Sequence, residues 1–174
     1  MEELRYPIGR FEIDKNITAE KRQIYIQEMA DAPAQLRAVV AGLNDEQLDT
    51  RYRPDGWTVR QVVHHVPDSH LNSYIRYKWA LTEDVPLIKT YHEDRWAELY
   101  DGKSLPVDVS LNLLDAIHER YLLSLRALPD ADFKKQFKHA DWGTIDIDIH
   151  ISIYAWHGKH HVAHITNLRE RMGW

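Results

Sequence analysis

Residues 144–153 read TIDIDIHISI, with apolar and polar side chains in strict alternation. A period of two marks a half-buried strand, so on its own this stretch would put a sheet into the molecule. The residues downstream favour a helix instead. Ile147, Ile151, Tyr154 and Ile165 recur at helical offsets, and no turn separates the stretch from WHGKHHVAHI at 156–165. Asp146 suits an N-cap and Gly173 suits a stop, so the spacing predicts a helix from about Asp146 to Met172.

The rest of the chain supplies partners for that helix. Thr18 can cap a helix through about Leu43, in which Ile26, Met29, Leu36, Val39, Val40 and Leu43 keep helical spacing and Pro33 should kink or split it. After the loop RYRPDGW, Thr58-Val59-Arg60-Gln61 fits a capping box that opens a helix to about Glu83. A short helix fits Glu93–Asp101. A stronger one from about Asp108 to Leu128 carries the stripe Leu111, Leu114, Ile117, Tyr121, Leu122 and Leu125 and ends at Pro129. Residues 1–17 are expected to form an extended N-terminal arm, because Pro7 and Gly9 interrupt any helix there. The expectation is an all-α four-helix bundle, one domain over residues 1–174, with short extra helices.

Composition narrows the function classes. Net charge is −5 with both signs interspersed, and no Lys/Arg-rich stretch marks a nucleic-acid footprint. The apolar runs are far short of the ~20 residues that span a bilayer, and the charged start MEELRYPIGRFEIDK lacks a signal-peptide core. With no cysteine there is no disulfide framework and no thiolate ligand, so a metal would have to be held by His, Asp or Glu. A cytoplasmic domain without nucleic-acid or membrane partners is expected.

Four of the eleven histidines stand in the ten residues 156–165. Imidazoles crowded this closely cannot all be protonated near neutral pH. On the predicted helix His157 and His161 are one turn apart, close enough to share a metal ion, and His160 and His164 have the same spacing on the neighbouring edge. Spacing leaves both pairs open. The zinc-protease motif HExxH does not apply, since Gly158 stands where its glutamate would be. A second cluster, QVVHHVPDSHLNSY, brings His64, His65 and His70 to the helix opened by Thr58. A bundle can set the two clusters face to face, and two imidazoles from one helix with one from another make a three-His site with open coordination positions, the composition of a catalytic metal centre. Asp68 can orient an imidazole or accept a proton, while Asn72 and Arg76 farther along the helix can hold a carboxylate or sugar-phosphate-like group.

The segments GWTVRQVVHHVPDSHLNSYIRYK and YAWHGKHHVAHITNLRERMGW, with YPIGRF near the start, resemble the YfiT branch of the DinB superfamily over nearly the whole chain. That branch includes bacillithiol S-transferases and metal-dependent hydrolases. The resemblance implies an up-down-down-up bundle, a homodimer, and one divalent ion per subunit, zinc or nickel, on His65, His157 and His161. It leaves His64, His160 and His164 as neighbours of the site or core histidines, with His64 and His164 candidates for contact with substrate. It favours a thiol S-transferase in which a low-molecular-weight thiol such as bacillithiol attacks an electrophile. A metal-dependent hydrolase using water at the same site and a non-catalytic metal-binding stress-response bundle are the alternatives. Two features depart from the pattern. Pro67 sits inside the ligand helix and should kink it within a turn of His65, and the Ile/Asp alternation blurs the start of the last one.

Overall fold

The computed structural model describes residues 2–174. Four long helices dominate: α2 (Ala19–Val40), α4 (Val59–Thr82), α7 (Val107–Arg126) and α8 (Ile147–Met172). Short helices fill the connections: α1 (Glu2–Arg5) at the start, α3 (Asp45–Leu48) between α2 and α4, and α5 (Glu93–Ala97) and α6 (Tyr100–Ser104) in the crossover from α4 to α7. The predicted caps are in place. Thr58 and Gln61 form the reciprocal capping box of α4, Thr18 accepts from Lys21 N at the start of α2, and Gly173 closes α8 in the left-handed conformation. Pro33 and Pro67 both lie inside continuous helices and split neither.

Cross-helix contacts fix the directions. Arg22 meets Asp148 near the starts of α2 and α8, and Val39 O accepts from Arg169 near their ends, so these two run parallel. His64 meets Ser110 and Tyr77 meets Ser124, so α4 and α7 also run parallel. His65 meets His157 while Ser73 meets His150, which makes α4 antiparallel to α8. The order is therefore up, down, down, up. Two apolar clusters fill the interior, one around Tyr77, Tyr121, Phe137, Ile147 and Ile151 and the other around Leu36, Val62, Leu114 and Ile165.

The alternating stretch turns out to serve both readings. A two-stranded antiparallel hairpin, β1 (Gln136–His139) and β2 (Gly143–Asp146), precedes α8 without a connecting loop. Asp146 ends the strand and caps the helix through Ile149 N. Ile145 is buried from the strand, whereas Ile147 and Ile151 are buried from the helix. Asp148 is fully buried, which would be costly alone, but Arg22 Nε lies 2.6 Å and Lys134 Nζ 2.9 Å from its carboxylate. The bundle is thus joined by a small hairpin that the predicted all-helical layout did not contain. The N-terminal arm differs too: its first four described residues form one helical turn, because Pro7 and Gly9 limit the turn without preventing it. Among the described residues no helix is long and apolar enough to cross a membrane.

Candidate metal centre

His157 and His161 project from the middle of α8 toward α4, and His65 answers from the second turn of α4. The Nε2 atoms of His65 and His161 each lie 3.2 Å from Nε2 of His157, and the potential ligand atoms of all three lie within 4.8 Å of one another. Ligands about 2.1 Å from a tetrahedral ion sit roughly 3.4 Å apart, so the spacing fits a shared cation. Burial is the main cause that lowers all three imidazoles, taking His65 to about 3, with neighbouring imidazoles adding to it. Each is therefore neutral near pH 7, the form that ligates. Bare lone pairs facing each other at this distance repel unless a cation lies between them, and three imidazoles suit zinc, nickel, copper or iron.

Gly158 is explained by packing. A Cβ there would come within 2.9 Å of the Ala32 side chain, so its absence lets α8 approach α2 beside His157.

The site forms one wall of a cavity of about 490 Å³, well within the size that takes a small ligand. Trp57 stands against His65, with ring centroids 4.6 Å apart. The rest of the lining comes from segments far apart in sequence: Arg5 and Tyr6 from the arm, Arg76 from α4, Tyr91 from the crossover, Phe137, His139 and Trp142 from the hairpin, and Trp156 from α8. Phe11 seals the arm against Trp142 and Trp156. Arg76 is buried, its Nη2 donates to Lys89 O at 3.3 Å, and its Nε has no partner, nor has the indole N–H of Trp156. These are two buried donors beside one cavity. The carboxylates along the lining, Asp55, Glu93, Asp94 and Asp141, are all exposed.

The other predicted residues fall in different places. His164 lines the cavity, stacked on Tyr52 at 4.0 Å, with Nε2 donating to Arg5 O. His64 does not line it: one ring nitrogen meets Ser110 Oγ at 2.7 Å and the other Leu105 O at 3.1 Å, tying α4 to the start of α7. Asp68 and Asn72 are also absent from the lining. On the helical wheel Ser69 and Arg76 fall to the cavity side of His65, and Asp68 and Asn72 to the other. Asn72 donates to Asp68 O one turn back, and burial, with Asp101 nearby, pushes the Asp68 carboxyl up to about 6.

Sequence reasoning did not find the hairpin and crossover walls, nor His118. His118 sits on α7 within the apolar stripe, one turn after Leu114, and that placement was the available signal. It is 2 % exposed and lies beside His70.

Similarity to known proteins extends over the full length of the chain. Residues 28–165 match the DinB superfamily. Bacillus cereus (strain B4264) has a relative 53% identical over the full length of both chains, and Bacillus mycoides (strain KBAB4) one 54% identical, again over all of both; each is named "Putative metal-dependent hydrolase". The structure of YfiT from Bacillus subtilis, described as a probable metal-dependent hydrolase with an unusual four-helix bundle topology, superimposes with a TM-score of 0.96 at 47% identity over 99% of each chain. On fold, helix order and sequence alike, this chain belongs to the DinB superfamily and is of the YfiT type.

Proposed function

We propose that the chain is a metal-dependent enzyme in which His65, His157 and His161 hold one divalent ion, zinc or nickel, and that it transfers a low-molecular-weight thiol such as bacillithiol to an electrophile. The observation that carries this reading is the meeting of three neutral imidazoles from two antiparallel helices beside a cavity. An ion held by them supplies Lewis-acid chemistry, lowering the pKa of a thiol or a water that shares its coordination sphere.

The chain's own residues supply position and shelter. Trp57 and the aromatic walls exclude water from the reacting groups. Arg76, with its buried unpartnered Nε, holds an anionic group of the substrate, and His164 is anchored in the cavity lining by its bond to Arg5 O. Thiol transfer is preferred because a thiol, with an ordinary pKa of about 8–9, needs less help to ionise than water does. The names of the relatives favour the second reading, a hydrolase using the same histidines with water as nucleophile. A bundle that binds metal without turnover is the third.

Consumption of monochlorobimane by metal-loaded protein tests this directly. Dependence on added bacillithiol, glutathione, coenzyme A or cysteine supports thiol transfer. Thiol-independent turnover of ester or amide substrates supports hydrolysis instead, and metal uptake with no turnover supports the third reading.

A homodimer belongs to the same proposal. Leu71, Ile75 and Trp79 form a stripe on α4, each at least 37% exposed, that a second subunit would cover. Sedimentation of the wild type and of Ile75→Glu checks it, with a dimer expected only for the first.

A further inference from the structure

Nε2 of His157 faces the other two imidazoles, and its other ring nitrogen begins a chain of hydrogen bonds. His157 Nδ1 is 3.1 Å from Nε2 of His70, His70 Nδ1 is 2.7 Å from Nε2 of His118, and His118 Nδ1 is 2.8 Å from Met29 O. The four residues come from α8, α4, α7 and α2, one from each long helix.

The carbonyl at the end gives the chain a direction. Met29 O can only accept, so His118 Nδ1 carries the proton. With one proton per ring, His118 Nε2 is then an acceptor and takes the bond from His70 Nδ1–H. His70 Nε2 in turn accepts from His157 Nδ1–H, leaving His157 Nε2 bare and facing the other two imidazoles. The opposite direction needs a second proton on His118 and would put a proton on His157 Nε2, where a ligand atom must be free. His161 has no such support, because its Nδ1 lacks a partner.

We propose that His70 and His118 are positioning residues that fix His157 in its Nδ1–H tautomer, so that the packing of all four long helices presents its Nε2 to the metal. This rests on the metal-centre reading above. An outer partner that fixes a ligand imidazole commonly contributes about 10–100-fold in metal affinity. Glutamine carries one donor and one acceptor at nearly the spacing of the two ring nitrogens, so it can replace His118 in the chain, whereas phenylalanine cannot.

Two measurements test the proposal. Nitrogen-15 NMR of the metal-free wild type, with labelled histidine, should show Nδ1–H tautomers at His157, His70 and His118; Nε2–H at His70 or His118 overturns the relay without any variant having to fold. Competition of zinc or nickel against a chromophoric chelator should show affinity reduced about 10–100-fold in His118→Phe and restored to within a few-fold in His118→Gln, each checked for folding by circular dichroism. Equal affinity in wild type and a folded His118→Phe contradicts it. A wild type that takes up no metal at all removes the metal centre, while the NMR pattern still judges the hydrogen-bond chain on its own.

Discussion

The two edges of α8 carry the same pattern and meet different surroundings. His157 and His161 are four residues apart, and so are His160 and His164, so spacing treats them alike. On the first edge a third imidazole, His65, arrives from α4 and the three Nε2 atoms converge. On the second edge His160 stacks on Trp156 at 4.3 Å and His164 on Tyr52 at 4.0 Å, with His164 Nε2 donating a hydrogen bond to Arg5 O. An HxxxH pair becomes part of a candidate metal site where a neighbouring helix brings a third imidazole. Where the surroundings are the α8 residue Trp156, Tyr52 from the loop before α4 and the Arg5 carbonyl, the same spacing becomes part of a wall.

The strongest way to break this comparison is to remove one of the converging imidazoles. His65→Ala and His161→Ala should each lower metal affinity beyond the roughly 10–100-fold typical of an outer-shell loss, as read by chelator competition. The corresponding change on the other edge, His160→Ala, should leave it within about three-fold. Equal losses on both edges would erase the distinction.

Acid should act on both edges of α8, and on the buried imidazoles of α4 and α7, in the metal-free protein. Burial lowers His65 and His160 to about 3 and His118 and His164 to about 4, from an ordinary value of 6.5. Between these values the unfolded chain binds protons that the folded one does not, so stability falls as pH drops from 6.5 toward 4. Each such imidazole contributes up to about 1.4 kcal/mol per pH unit. Asp68, raised to about 6, opposes this in part, because the folded form takes up its proton first. Denaturant titrations at stepped pH should show the decline. Saturating metal should move the acid midpoint downward in the wild type and not in His161→Ala.

Gly158→Ala sharpens the comparison through the backbone. Helix propensity alone favours alanine by about 1 kcal/mol. The new Cβ would meet the Ala32 side chain at 2.9 Å, so α8 must shift beside His157. The expected net outcome is a loss of about 1–2 kcal/mol in urea unfolding together with weaker metal binding. The smallest effect belongs to His164→Ala, expected to cost roughly 1 kcal/mol through the lost stacking and the bond to Arg5 O, with metal affinity nearly unchanged.

Much of this was legible in the sequence, for identifiable reasons. The capping box at Thr58, the N-caps Thr18 and Asp146 and the stop at Gly173 are local signals, and each held. The hairpin was not legible because β1 is only four residues long and its partner strand runs directly into α8; the alternation at 144–153 was its one trace. The role of Arg22 against Asp148 depends on a contact across 126 residues, which no local pattern announces. Among the site residues, helical spacing narrowed α8 to two pairs and resemblance chose between them. His118 was hidden by standing alone in an apolar stripe, where a histidine reads as core.

The central claim is that imidazoles from α4 and α8 hold one ion between them. Metal content of purified protein, measured beside that of His65→Ala, tests it most directly. One ion per wild-type chain and a near-empty variant that remains folded are expected. Stoichiometric metal retained by folded His65→Ala would contradict it.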